Sequence, residues 1–118
     1  MPWKVVRLEL AASSEFPRGS AGRSYLIRLP LDDDGILDLV TLEAEPARAT
    51  VRRFWSNQPD MHGAVVRTPS GLAIEYEARG DERPPASILD ANRFQIGDKV
   101  VMTGPRGNYR SFRVVGLQ

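Results

Sequence analysis

The chain has 118 residues, no cysteine, one histidine and a formal net charge of +1 at pH 7. This length fits a single domain, residues 1–118, that can bury a core without disulfide or metal staples. The missing cysteines exclude thiolate nucleophiles, zinc knuckles and iron–sulfur sites, and the near-neutral charge argues against a dedicated nucleic-acid binder.

Residues 1–11 alternate as a β-strand does, with Val6, Leu8 and Leu10 on one face and Trp3 on the other. We expect Trp3 to cover the edge of the core; the alternative is a stacking or partner contact. Charges interrupt this segment where a secretory signal needs an unbroken apolar stretch, and no run approaches membrane-spanning length. We therefore expect a cytoplasmic protein.

Residues 13–23 are rich in Ser, Gly and Pro and predict a loop, and residues 24–29 predict a strand with Tyr25 facing inward. The acidic run at residues 32–35 lacks the third ligand and the closing glutamate of a calcium loop, which favours a plain turn. Asp38 is placed to cap a short helix over residues 39–45 with Leu39 and Leu42 inward, although the same stretch alternates almost as well as a strand.

Residues 49–55 are β-branched and aromatic enough for a strand, yet either face combines an arginine with a large apolar group. Arg53 shares one face with Trp55, and Arg52 lies on the other. Such arginines commonly pack their stems along aromatic rings. The alternative is that a guanidinium faces a ligand.

Residues 62–68 and 72–78 predict a hairpin with a three-residue loop, which pairs Val66 with Ile74 and Ala64 with Tyr76 and turns Val65 outward. His62 then lies exposed at the open end of this hairpin. A short strand over residues 86–89 follows.

Residues 94–117 predict a second long hairpin. A three-residue loop, residues 106–108, sets Val100 opposite Val114 and Met102 opposite Phe112 inside, and it turns Arg113 outward. Asn108 would take the left-handed position of the loop. Tight loops require antiparallel neighbours. We therefore predict a mainly β protein, a small antiparallel β-barrel or rolled sheet of six to eight strands with one short helix.

The pattern Gly97-Asp98-Lys99-Val100, continued by Gly104-Pro105 and Gly107, resembles a stretch in the flavin-binding barrel of ferredoxin-reductase-like proteins. That family also has an Arg-x-Tyr-Ser sequence at the flavin, whereas here Leu26 follows Tyr25. We expect neither a flavin nor any other cofactor, and no metal.

A broader resemblance is to a set of small bacterial proteins of unknown function. It is carried by Glu15-Phe16-Pro17, by the Val51–Trp55 stretch and by Ser111-Phe112-Arg113-Val114-Val115. This resemblance implies no activity.

Basic and aromatic side chains in two predicted strands form the candidate binding surface, because such groups bind anions and stack on planar ligands. These residues are Arg52, Arg53, Trp55, Arg106, Tyr109, Arg110 and Arg113. We predict a non-catalytic interaction module whose partner is a protein or a small anionic ligand, with nucleic acid ranked lower and no membrane. The alternative is a small enzyme using His62 and an acidic side chain.

Overall fold

The fold is a closed antiparallel β-barrel, which confirms the predicted fold class. The computed structural model describes residues 2–69, 71–77 and 86–118. Within them each strand pairs with the next along the chain, and the last pairs with the first. The strands are β1 (Trp3–Leu10), β2 (Ser20–Pro30), β3 (Thr50–Trp55), β4 (Met61–Thr68), β5 (Gly71–Tyr76), β6 (Ala86–Asp90), β7 (Lys99–Thr103) and β8 (Tyr109–Leu117).

The barrel interior is filled by alternate residues of the strands. In β1, Val6 and Leu8 are fully buried, and in β8 Phe112 and Val114 are buried while Arg113 between them is exposed. Successive side chains of a strand point to opposite faces, so an alternating sequence fills the interior from one face and leaves the other to solvent.

A short helix, α1 (Leu39–Ala44), and a 3₁₀ helix (Pro46–Arg48) lie at the barrel end where β1 begins. Asp38 caps α1 as predicted, its Oδ1 accepting from the Thr41 backbone N–H at 3.1 Å. Leu42 is buried, but Leu39 is 38% exposed, so its predicted inward position was wrong. The helix has six residues and buries one of them.

Trp3 covers the core edge at this end, as predicted. It is buried, and its Nε1–H donates to Glu45 Oε2 at 3.2 Å. The Arg48 guanidinium carbon lies 4.8 Å from the centroid of its ring. The strand and the two short helices are therefore joined through one tryptophan.

The hairpin of β7 and β8 keeps the predicted faces but not the predicted register. Val100 pairs with Phe112 and Met102 with Arg110, a shift of two residues, and all four predicted apolar side chains remain buried. The loop spans residues 104–108, and Gly107, not Asn108, takes the positive φ of 87°. A two-residue shift preserves the faces because the side-chain period of a strand is two.

The hairpin of β4 and β5 differs from the prediction by one residue. Val65 pairs with Ile74 and Gly63 with Tyr76, because Gly71 already pairs with Thr68 and the connection is two residues long. A one-residue shift exchanges the faces of a strand. Val65 is therefore buried rather than outward, whereas Tyr76 is inward as predicted.

Candidate functional site

A cavity of about 520 Å³ opens at the barrel end opposite α1, and we call it the mouth cavity. Its walls come from the ends of seven strands, β2 to β8, and from the loops after β3 and β7. Ligand pockets in proteins commonly have volumes of roughly 300–1,000 Å³. The cavity is therefore large enough for a small organic molecule.

Four arginines line the mouth cavity: Arg23, Arg53, Arg106 and Arg110. Among the lining residues that the structure describes there is no aspartate or glutamate. Arg110 has one loose acidic contact, with its Nη2 3.8 Å from Glu15 Oε2, and the Glu15 side chain is 70% exposed. Among the described residues, the four arginines therefore give the cavity lining a positive charge that the Glu15 contact barely offsets.

Arg53 is held firmly in the wall. It shares the inward face of β3 with Val51, its Nη2 donates to Gln58 Oε1 at 3.1 Å, and its guanidinium carbon lies 4.6 Å from the Trp55 ring centroid. Its Nε is buried without a hydrogen-bond acceptor. Arg53 thus packs on the tryptophan, as the first interpretation of this arginine predicted, and it also lines the cavity.

Arg23 is a site residue that the sequence prediction missed. It was assigned to a loop, but β2 begins at Ser20, and the inward alternation that includes Tyr25 continues back to Arg23. Its guanidinium carbon lies 4.6 Å from the Phe16 ring centroid and 5.5 Å from that of Trp55. The alternation of β2, followed two residues further back, was the signal that could have found it.

The inner part of the cavity carries three linked hydroxyl groups, which we call the hydroxyl chain. The Tyr25 and Tyr76 hydroxyls are 3.2 Å apart, and the Tyr76 hydroxyl is 3.1 Å from Ser87 Oγ. All three residues are buried. Burial raises the pKa of the Tyr25 phenol, the neighbouring Tyr76 adds to this, and Arg53 and Arg110 act in the opposite direction. Tyr25 therefore keeps its proton and can donate a hydrogen bond.

Apolar side chains share the cavity lining with the arginines. Met61, Met102 and Phe112 line the cavity, and the Phe112 ring centroid is 5.1 Å from that of Tyr25 and 6.2 Å from that of Trp55. β3 and β8 are not neighbours in the sheet, because β1 and β2 lie between them. Their aromatic residues nevertheless meet, since both point into the barrel.

The predicted binding residues divide into two groups. Arg53, Trp55, Arg106 and Arg110 line the mouth cavity together. The other three are exposed elsewhere: Arg52 pairs with Asp60 at 2.6 Å, Tyr109 is 74% exposed, and Arg113 lies opposite Lys99. Sequence reasoning grouped these residues by proximity along the chain, whereas strand alternation sends neighbouring residues to opposite faces.

His62 lies outside the mouth cavity. It is exposed and pairs with Arg52 between β4 and β3. Within residues 2–69, 71–77 and 86–118 there is no group of three histidine or acidic side chains that could hold a metal ion.

No protein-family model, curated protein or solved structure matches this chain. No helix in the described part of the chain is long and apolar enough to cross a membrane. The geometry of the mouth cavity is therefore the basis for a functional proposal.

Proposed function

We propose that this protein is a cytoplasmic, non-catalytic binding protein that holds a small organic anion in the mouth cavity. The observation that carries the proposal is the set of four arginines around one concavity whose described lining contains no carboxylate. Gathered cations repel one another when no counter-charge lies among them. A bound anion relieves this repulsion and accepts hydrogen bonds from the guanidinium groups.

Two further features favour an organic anion over an inorganic one. The cavity wall also contains Met61, Met102 and Phe112, and apolar atoms of a ligand would be removed from water against them. Methionine side chains are flexible and adapt to ligands of different shapes. We infer a ligand with one anionic group and an apolar body.

The concave shape favours a small molecule over a macromolecule. Arg53 and Arg110 line a concavity, which a small molecule enters more readily than a nucleic-acid backbone or a protein surface, whereas Arg52 and Arg113 are exposed on the outer face. The alternative of an enzyme using His62 gains no support from the position of that residue.

Isothermal titration calorimetry with octanoate and with uncharged octanamide tests the proposal. We expect octanoate to bind and Arg53→Gln or Arg110→Gln to weaken its binding about 10- to 100-fold, because each removes charge-assisted hydrogen bonds. Octanamide should bind the unmodified protein more weakly than octanoate does, and either substitution should change the affinity for octanamide only slightly.

Each variant has a matched control on its own strand. Arg52→Gln and Arg113→Gln remove exposed arginines of β3 and β8 that point away from the cavity. We expect both to bind octanoate within about twofold of the unmodified protein, since surface charges contribute little at physiological salt. The proposal would be contradicted if the control variants lost as much octanoate affinity as Arg53→Gln and Arg110→Gln, or if the unmodified protein bound octanoate and octanamide equally well.

A further inference from the structure

The hydroxyl chain has one hydrogen-bond donor more than its internal bonds use. Tyr25, Tyr76 and Ser87 each carry one O–H, and two hydrogen bonds link the three groups. Whichever way the protons are arranged, one O–H remains to donate to another atom. The described residues give this O–H no further acceptor, and a buried donor without an acceptor is unfavourable, so the hydroxyl chain favours an acceptor supplied by a ligand.

The hydroxyl chain lies on the inner side of the guanidinium groups. Along the inward face of β2, Arg23 comes two residues before Tyr25 and lies about 6.6 Å nearer the open end. Arg53 pairs with Tyr25, but its guanidinium is turned toward the open end, where it contacts Gln58 and Trp55. We call the guanidinium groups the outer level and the hydroxyl chain the inner level. Tyr76 and Ser87, from β5 and β6, join Tyr25 at the inner level.

The two levels differ in the charge that they favour. The outer level carries guanidinium groups, and Arg106 is exposed there. The inner level offers buried, neutral hydroxyls, and a second negative charge placed beside them would carry a desolvation cost. The inner level therefore favours a neutral acceptor.

We propose that the ligand is an amphipathic oxo acid, with its carboxylate among the arginines of the mouth and a neutral carbonyl oxygen accepting a hydrogen bond from the hydroxyl chain. This inference rests on the proposed function, because it assumes that an organic anion occupies the mouth cavity. It adds the chemical group at the other end of the ligand and the direction in which the ligand lies.

The test compares octanoate with isomeric oxo-octanoates whose carbonyl is moved one carbon at a time along the chain. We expect one isomer to bind about three- to tenfold more tightly than octanoate, because its carbonyl reaches the unused O–H. Isomers with the carbonyl beside the apolar wall should bind more weakly than octanoate, since they bury a polar group without a partner.

A variant without the hydroxyl chain, Tyr25→Phe/Tyr76→Phe/Ser87→Ala, should lose the preference for the oxo isomer, measured as the ratio of the dissociation constants of octanoate and that isomer. A second measurement needs no variant. The infrared carbonyl band of the preferred isomer, labelled with carbon-13, should move to lower wavenumber when the unmodified protein binds it.

The outcomes separate the two proposals. If octanoate does not bind, the proposed function is wrong. If octanoate binds, any one of three results overturns the oxo-acid inference while anion binding stands. No isomer binds more tightly than octanoate, the carbonyl band of the bound isomer does not move, or the triple variant keeps the preference for that isomer.

Discussion

Replacing Gly63 by alanine tests the packing of β4 against β5, beside Tyr76 of the hydroxyl chain. A β-carbon at this position would lie 2.3 Å from the Glu75 carbonyl oxygen and 3.0 Å from the Tyr76 α-carbon. Both atoms belong to the backbone of the neighbouring strand, so no side-chain rotation can relieve the contact. One of the two strands must move.

We expect Gly63→Ala to lower the free energy of unfolding by about 1–3 kcal/mol, the usual cost of overpacking an interior. Urea denaturation followed by tryptophan fluorescence measures this change. Gly104→Ala is the matched control, because its β-carbon would meet only the Asn108 carbonyl oxygen, at an ordinary 3.6 Å. If both variants unfold at the same urea concentration, the close approach of the strands is not as described.

Three further predictions concern single features of the barrel. Trp3→Phe removes the hydrogen bond to Glu45 and should cost about 1 kcal/mol of folding stability, read from urea denaturation; an unchanged midpoint would contradict it. Burial raises the pKa of Tyr25 in the folded protein above its value of about 10 in the unfolded chain. The free energy of unfolding that this group contributes is therefore fully present below about pH 10, and it should fall by about 1.4 kcal/mol per pH unit above about pH 10. Tyr25→Phe should lack this decline in unfolding measured from pH 9 to 11. Gly107→Ala should lower the free energy of unfolding by about 1 kcal/mol because of the positive φ at this position alone, since no atom lies within 4 Å of the added β-carbon. This variant should retain octanoate binding.

The sequence predicted the barrel well because its strands alternate strongly. Val6 and Leu8, or Phe112 and Val114, leave only one face for the core, and short connections permit only antiparallel neighbours. The two hairpin registers were less predictable. Each depends on the loop length, and a change of one residue in the loop between β4 and β5 was enough to exchange the faces of β4.

The candidate site was predicted only in part. Arg53 and Arg110 were identified from their residue type, yet Arg52 and Arg113 were grouped with them, because nearness along the chain does not show which side of a strand a residue occupies. Ser87 gave no signal in the sequence. A serine in a short strand becomes informative only when two tyrosine hydroxyls are found beside it.

By itself, the sequence determined which residues of the strongly alternating strands β1 and β8 face the interior, because alternation is a local property that a few neighbouring residues carry. Only the tertiary structure decided that the arginines of β2, β3 and β8 surround one opening above a chain of buried hydroxyls. That arrangement depends on closing the sheet, which brings residues of β8 beside those of β2 and β3, although β8 is distant from both in the chain and pairs with neither.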